Sequence, residues 1–264
     1  MTTPTRLTGA KAIVTGGARG IGAAITQRLV NEGAEVIILD LPADTGDACA
    51  ASVGATFMGV DLADPDATRA VVAAAIAALG GVDVLVNSAG VFRLVSLLDI
   101  DIAEWDRVMN INARAMLVTM QSVAPTMIAA GSGRIINLAS MAAKAGGANE
   151  AHYAASKAAV VALTRAAAME WGPHGVTANA ICPGYVLTEM GAATRTQEQI
   201  DTWSAKSPLG RLGRPDDVAG LARGEDVRLV LPGGVADAGI ERARRAPAGD
   251  GVRKRPPDAA VDVA

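Results

Sequence analysis

Cysteine and histidine are scarce in this chain, which contains two of each: Cys49, Cys182, His152 and His174. Two cysteines are too few for a disulfide framework, and the four residues lack the spacing of a four-ligand zinc site. We therefore expect the cysteines to be buried, reduced thiols and the functional site to contain no metal.

Long apolar runs and an excess of positive charge are also absent. The N-terminal residues have no apolar segment of the kind a signal peptide needs, and polar residues interrupt later runs before they reach the length of a bilayer span. The formal net charge of −3 disfavours a nucleic acid partner. These absences predict a cytoplasmic protein that binds neither membrane nor nucleic acid and acts on a small molecule.

What the chain does have is a regular alternation of short Val/Ile/Leu-rich runs with longer alanine-rich ones. Buried strands that alternate with helices indicate a parallel sheet covered on both faces. Half of the 264 residues are hydrophobic, enough for the core of one α/β domain. We predict a single doubly wound, Rossmann-like sheet of strand order 3-2-1-4-5-6 in a domain spanning residues 1–221. The predicted strands are residues 12–15, 35–40, 55–60, 82–86, 133–138 and 176–181, and the main predicted helices are residues 21–31, 65–79, 102–130 and 151–171.

A glycine-rich turn, Thr15-Gly-Gly-Ala-Arg-Gly-Ile-Gly22, joins the first strand to the first helix. Such a turn presents backbone N–H groups and a helix N-terminus, which together bind a pyrophosphate. Asp40 ends the second strand, where a carboxylate would accept hydrogen bonds from an adenosine ribose and repel a 2′-phosphate. This favours NAD over NADP, although Arg19 leaves some tolerance of the extra phosphate. The alternatives are a plain tight turn and, for Asp40, a capping carboxylate.

Tyr153 is one of only two tyrosines, and Lys157 follows it by four positions on a predicted helix. The two side chains therefore share a helix face, so that the ammonium can lie near the phenol. A phenol with its ordinary pKa near ~10 is a poor base at neutral pH, but a neighbouring cation favours the phenolate. Ser140 follows the fifth strand, where its hydroxyl can hydrogen-bond a substrate oxygen. Asn112 is a polar residue inside a predicted helix, where propensity disfavours one.

Together these motifs resemble the short-chain dehydrogenase/reductase family over residues 7 to about 221. The resemblance implies that Tyr153 is the general acid/base, that Ser140 positions the reacting oxygen, and that Lys157 holds the nicotinamide ribose and lowers the tyrosine pKa. It also implies that Asn112 orders a water in a proton relay. The motifs that carry the resemblance are Gly16-x-x-x-Gly20-x-Gly22, Asn87-Ser-Ala-Gly90, Asn112, Ser140, Tyr153-x-x-x-Lys157 and Cys182-Pro-Gly184.

The expected cofactor contacts combine the glycine turn and the strand ends with positions that the resemblance adds around the adenine, the ribose and the nicotinamide. Besides Tyr153 and Lys157, they are Gly16, Arg19, Gly20, Ile21, Gly22, Asp40, Asp61, Leu62, Asn87, Ala89, Gly90, Pro183, Gly184, Val186 and Thr188.

Each polar residue also has a structural interpretation. Ser140 can cap a turn, Asn112 can mark a helix kink, Lys157 can be a solvated surface charge and Tyr153 can fill the core. The site would be absent only if all four structural interpretations were true at once. His152 projects about a hundred degrees around the helix from Tyr153, so we interpret it as a packing or surface histidine rather than a second base.

The chain departs from the family pattern beyond Ala222, where arginines are scattered among Gly, Pro, Ala and Asp without any aromatic residue. The family's closing strand has no counterpart there, except for a weak candidate at residues 227–231. We predict an atypical segment at residues 222–264, and its composition resembles translation in the wrong reading frame. Loss of that strand would leave a sheet edge uncovered and would affect assembly.

The leading functional hypothesis is an NAD-dependent oxidoreductase that interconverts a secondary alcohol, such as a polyol or sugar, and its ketone. A lid over residues 186–212 carries Met190, Arg195 and Trp203, which indicate mixed apolar and polar substrate contacts. The alternatives are a 3-oxoacyl-carrier-protein reductase and an inactive cofactor-binding protein with a damaged C-terminus. Small residues on the helices from Ile102 and around Tyr153 predict a homodimer or homotetramer.

Overall fold

The computed structural model describes residues 6–189 and 196–221, and within them six strands form one parallel sheet of order β3-β2-β1-β4-β5-β6. The predicted fold class and strand order are confirmed, with strand ends shifted by one or two residues. The strands are β1 (Lys11–Thr15), β2 (Glu35–Asp40), β3 (Thr56–Gly59), β4 (Val84–Asn87), β5 (Gly133–Leu138) and β6 (Val176–Ile181).

Helices connect successive strands and cover both faces of the sheet. They are α1 (Gly20–Asn31), α2 (Asp44–Val53), α3 (Pro65–Leu79), α4 (Ile102–Met109), α5 (Ala115–Ala130), α6 (Ala142–Ala145), α7 (Ala151–Trp171), α8 (Gln197–Lys206) and α9 (Pro215–Ala219). None of the helices in the described ranges is long and apolar enough to cross a membrane.

The sheet is buried because neighbouring residues of each central strand pack into different cores. Ile13 and Leu85 pack with residues of α3, α5 and α7 on one face, while Val14 and Val86 pack with residues of α1 and α9 on the other. Both thiols are free as expected: Cys182 is buried and Cys49 partly so, and desolvation raises the pKa of each.

The predicted helix over residues 102–130 is helical throughout, but it contains a π-helical turn that was not predicted. The structure has α4, a π-helical turn at Asn110–Arg114, and then α5. A π turn inserts an extra residue and rotates the side chains around it. Asn112 lies in this turn and hydrogen-bonds the backbone of Val91 on a neighbouring segment, so the break serves a tertiary contact. Asn112 therefore lies where the helix departs from regular α geometry.

In the part of the chain that the structure describes, β6 forms one edge of the sheet. The predicted strand at residues 227–231 and the predicted atypical segment at residues 222–264 lie outside the described residues. The domain boundary at residue 221 accordingly stays a prediction.

Candidate active site

A cavity of about 600 Å³ lies at the carboxyl ends of the strands, where ligands bind in open parallel sheets. Most residues expected at the site meet there, although they come from widely separated segments. Of the expected residues, those lining the cavity are Gly16, Arg19, Gly20, Ile21, Gly22, Asp40, Asp61, Leu62, Ala89, Gly90, Ser140, Tyr153, Lys157, Pro183, Gly184, Val186 and Thr188. Asn87 and Asn112 do not line it.

The glycine turn at one end has no room for side chains. Gly16 has a φ of +63°, and a Cβ there would lie 2.6 Å from the Cα of Ala89. A Cβ on Gly22 would collide with the carbonyl oxygen of Gly16. Helix α1 begins at Gly20 without a side-chain cap, so its first N–H groups are available to an anion. These features fit the pyrophosphate of a dinucleotide.

Two carboxylates lie further along the same end of the cavity. Asp40 Oδ2 accepts a hydrogen bond from the N–H of Ala18 at 3.1 Å, and its Oδ1 accepts one from the N–H of Leu41 at 2.8 Å. Asp61 Oδ1 accepts from the N–H of Ala63 at 2.9 Å. The backbone therefore fixes both carboxylates at the ends of β2 and β3, and Arg19 also lines the cavity.

Lys157 is 4% exposed, which rules out the surface-charge interpretation. Its Nζ donates a hydrogen bond to the carbonyl oxygen of Leu138 at 2.8 Å and lies 5.8 Å from the ring centroid of Tyr153. Burial lowers the pKa of Lys157 to about 8. The helical spacing of four thus places a desolvated ammonium below the tyrosine, as the sequence predicted.

Tyr153 and Ser140 both line the cavity beside Lys157. Phe92 packs edge-on against the Tyr153 ring, with centroids 4.9 Å apart and planes at 80°. Ser140 Oγ accepts a hydrogen bond from the N–H of Ala142 at 3.1 Å. Ser140 therefore does cap the turn into α6, and that contact orients its hydroxyl group within the cavity wall.

Asn112 is fully buried beneath this wall. Its Oδ1 accepts from the N–H of Val91 at 2.7 Å, and its Nδ2 donates to the carbonyl oxygen of Val91 and to Ser156 Oγ, both at 3.0 Å. A Cβ on Gly90 would lie 3.2 Å from Asn112 Oδ1 and 3.4 Å from Lys157 Nζ. Asn112 thus fixes the backbone at Gly90 and Val91, which line the cavity. Its part in a proton relay stays a prediction.

Asn87 is buried in a second polar network that sequence reasoning missed. Its Nδ2 donates to Asn137 Oδ1 at 2.9 Å, and its Oδ1 accepts from Thr119 Oγ1 at 2.7 Å. Asn137 in turn donates to Thr164 Oγ1 at 2.8 Å. Asn87 and Asn137 are paired in the sheet register, so the network joins the ends of β4 and β5 to α5 and α7. Asn137, a polar residue inside the apolar run of β5, was the feature of the sequence that could have indicated this network.

Further cavity residues were not singled out from the sequence. Phe92, Glu150 and Tyr185 line the cavity, and Tyr185 stacks on Trp203 with ring centroids 4.1 Å apart and planes at 3°. Trp203 had been assigned to the lid, whereas Met190 and Arg195, assigned with it, lie outside the described residues. Aromatic residues make up only 3% of the chain, so their rarity could have marked these positions as candidates for the site.

His152 is fully buried and does not line the cavity, which agrees with a packing role. Its Nε2 lies 3.5 Å from Glu104 Oε1 without hydrogen-bond geometry. Glu104 accepts two hydrogen bonds from Arg107, both at 2.8 Å, and these lower the pKa of the Glu104 carboxyl. The cluster packs α4 against α7 next to Tyr153.

Comparisons with known proteins agree with this geometry. Residues 10–199 match the family model described as short chain dehydrogenase. The D-threitol dehydrogenase of Mycolicibacterium smegmatis is 38% identical over 222 residues, which cover 82% of this chain and 85% of that protein. The galactitol 2-dehydrogenase (L-tagatose-forming) of Cereibacter sphaeroides is 40% identical over 222 residues, covering 82% and 87%. The crystal structure of gox2181 superposes with a TM-score of 0.78 at 33% identity, covering 82% and 88%.

The chain therefore belongs to the short chain dehydrogenase family, an assignment that its motifs had predicted. It is an oxidoreductase acting on CH–OH groups, and the family uses a nicotinamide dinucleotide, whose pyrophosphate the glycine turn fits.

Proposed function

We propose that this member of the short chain dehydrogenase family interconverts a secondary alcohol of a polyol or sugar alcohol and the corresponding ketone, with NAD(H) as cofactor. The observation that carries the proposal is that Ser140, Tyr153 and Lys157 meet on one wall of a cavity whose other end is the glycine turn. The names of the relatives from Mycolicibacterium smegmatis and Cereibacter sphaeroides supply the substrate class.

The proposed roles follow from where each group lies. Tyr153 Oη accepts the proton of the substrate hydroxyl during oxidation and returns it during reduction. Ser140 Oγ hydrogen-bonds the same substrate oxygen and so orients the carbinol carbon. The ammonium of Lys157 stabilises negative charge on Tyr153 and hydrogen-bonds a ribose. Asn112 orders a water that relays the proton outward. When bound, the dinucleotide accepts or supplies the hydride.

The proposed cofactor contacts are divided between the two ends of the cavity. The glycine turn and the first N–H groups of α1 hold the pyrophosphate, and Asp61 and Leu62 flank the adenine. Ala89 and Gly90, from the segment following Asn87, lie beside a ribose. The loop after β6, which contributes Pro183, Gly184, Val186 and Thr188, surrounds the nicotinamide.

Asp40 supports NAD rather than NADP. Two backbone N–H groups hold its carboxylate at the rim, where a ribose 2′-hydroxyl would donate to it and a 2′-phosphate would be repelled. Arg19, which lines the same cavity, would offset part of that repulsion. Thermal-shift titrations with NADH and NADPH test the choice, because a ligand of the native state raises the melting temperature. NADH should give the larger shift at equal concentration, and a larger shift with NADPH would contradict the role of Asp40.

We also propose that the chain forms a homodimer or homotetramer. Apolar side chains are exposed around the start of α4: Leu98 at 95%, Ile102 at 74% and Leu97 at 71%. Exposed apolar side chains that lie this close together in the chain favour an interface. Light scattering after size exclusion should give a multiple of the chain mass, and a monomer at micromolar concentration would refute the proposal.

The decisive test of the activity is reduction of NAD⁺ by the full-length chain with a panel of polyols that includes D-threitol and galactitol. Turnover of at least one polyol is expected. An acetoacetyl thioester with NADPH serves as the contrasting assay, since its reduction without polyol turnover would favour a 3-oxoacyl-carrier-protein reductase. Absence of turnover in both assays, with cofactor binding retained, would favour an inactive cofactor-binding protein.

A further inference from the structure

Three polar residues, one just before α7 and two in its N-terminal half, line the cavity. Glu150, Tyr153 and Lys157 all line it, at the i, i+3 and i+7 spacing of a single helix face. Lys157 is the innermost, bound to the end of β5. Glu150 directly precedes the helix. It lies about one turn from Tyr153 toward the N-terminus, whereas Lys157 lies about one turn from Tyr153 toward the C-terminus. The carboxylate therefore stands on the outer side of the proposed reacting centre.

Residues that precede Glu150 in the chain also line the cavity. They are Met141, Ala142, Ala145 and Gly146, while Phe92, which packs against Tyr153, lines the cavity as well. Gly147 makes room for the side chain, because a Cβ at that position would collide with Glu150 Oε1. A charge beside apolar groups acts on a ligand more strongly than one in open water.

The cations that line the cavity lie elsewhere. Among the described residues they are Arg19, at the glycine turn, and Lys157, which is buried against Leu138. Apart from Asp40 and Asp61 at the ends of β2 and β3, the carboxylates of the described lining are Glu150 and the exposed Glu189. Glu150 thus offers an acceptor to hydroxyl groups of a substrate, whereas the two cations of the described lining lie at the glycine turn and against Leu138.

We propose that Glu150 is a specificity-determining residue that selects neutral or cationic polyhydroxy substrates and rejects aldonates and sugar phosphates. The inference rests on the proposed polyol activity and deepens it. The Glu150 carboxylate accepts charge-assisted hydrogen bonds from a polyol hydroxyl away from the reacting carbon. The same charge repels an anionic group at that place.

The test uses three substrates of equal length that differ in the charge at one end: galactitol, galactonate and 1-amino-1-deoxygalactitol. The wild-type chain should prefer the neutral and cationic compounds over the anion. In Glu150→Gln, kcat/KM should rise about tenfold for galactonate and fall about tenfold for the amine, as expected for one nearby charge in a partly solvated site. Galactitol should lose about threefold, because an amide still accepts a hydrogen bond.

Glu170→Gln is the matched control, since Glu170 is an exposed glutamate on the same helix outside the cavity. It should leave all three values within twofold. The same pattern in Glu170→Gln, or an equal change for all three substrates in Glu150→Gln, would overturn the inference while leaving the proposed function intact. If the wild-type chain turns over no polyol, both proposals fail.

Gly147→Ala keeps the test decisive if Glu150→Gln does not fold. The added methyl group displaces the Glu150 carboxylate without changing the charge, and no φ in the left-handed region opposes alanine there. Discrimination between galactitol and galactonate should weaken by about threefold. Unchanged discrimination, in a variant whose thermal shift with NADH equals that of the wild type, would count against Glu150.

Discussion

On the sheet side of the cavity, Asn112 and Lys157 are buried and hydrogen-bonded to backbone. The lid side consists of the lid over residues 186–212, described at 186–189 and 196–212, and of Tyr185, which directly precedes the lid and is 49% exposed. The lid is joined to the rest of the chain by backbone hydrogen bonds to Gly213 and by the surface ion pair of Arg211 with Asp217. That pair lowers the pKa of Asp217 to about 2.

This difference in burial suits the sheet side to proton transfer and the lid side to substrate selection. Proton transfer requires atoms held to a fraction of an ångström, which buried hydrogen-bonded groups provide. Substrate selection tolerates movement, and exposed segments with few buried contacts open most easily. Substitutions on the sheet side should therefore change kcat or global stability, while substitutions on the lid side should change KM.

Tyr153→Phe should give the largest effect. The change removes the proposed proton-transferring hydroxyl but keeps the ring that packs against Phe92. We expect kcat to fall about 10³-fold, within the usual range for general acid–base catalysis. Steady-state kinetics measure this, and an unchanged thermal shift with NADH is the control. A loss below tenfold would remove Tyr153 from the proposed mechanism.

Asn112→Ala tests whether the buried framework supports the fold. It leaves the N–H and carbonyl of Val91 and the hydroxyl of Ser156 without the Asn112 partner. The two Val91 groups are partly buried and the Ser156 hydroxyl keeps its bond to the Tyr153 carbonyl oxygen, so with about 1–3 kcal/mol for each group left unsatisfied the free energy of unfolding should fall by about 3 kcal/mol. Urea denaturation measures it. Ser122→Ala, which removes one hydroxyl bonded within α5, is the control and should cost less than about 1 kcal/mol.

Lys157→Met should change stability in a pH-dependent way. Burial lowers the pKa of Lys157 to about 8 from its ordinary 10.5, so the unfolded chain binds more protons between those two values. The folded state therefore bears a penalty of about 3 kcal/mol below pH 8, which disappears as the pH rises toward 10.5. The methionine variant removes this penalty but also loses the hydrogen bond to Leu138, worth about 1 kcal/mol.

The difference in melting temperature between Lys157→Met and the wild type should accordingly favour the variant at pH 7 and shrink by pH 9.5. Lys206→Met, at an exposed lysine of α8, should show no such trend. A pH-independent difference for Lys157→Met would mean that the ammonium is solvated in the folded state. Activity should fall at every pH, because the proposed stabilisation of negative charge on Tyr153 is lost.

The sequence predicted what depends on local patterns. Continuous apolar runs predicted the strands, and the spacing of Tyr153 and Lys157 predicted a shared helix face. It did not predict the π turn at Asn110–Arg114 or the pairing of Asn87 with Asn137, since each depends on a partner far away in the chain. Tyr185 and Trp203 were missed as a pair for the same reason.

Trp203→Ala tests the lid side and should have the smallest effect. It uncovers one face of Tyr185 and removes a ring stack worth about 0.5–1.5 kcal/mol. The KM for the polyol should rise about three- to tenfold, while kcat stays within twofold and NADH binding is unchanged. Trp203→Phe keeps an aromatic ring on Tyr185 and should recover most of the KM. If kcat fell with KM unchanged, the lid would contribute to the geometry of the reacting groups, and the separation between the two sides of the cavity would fail.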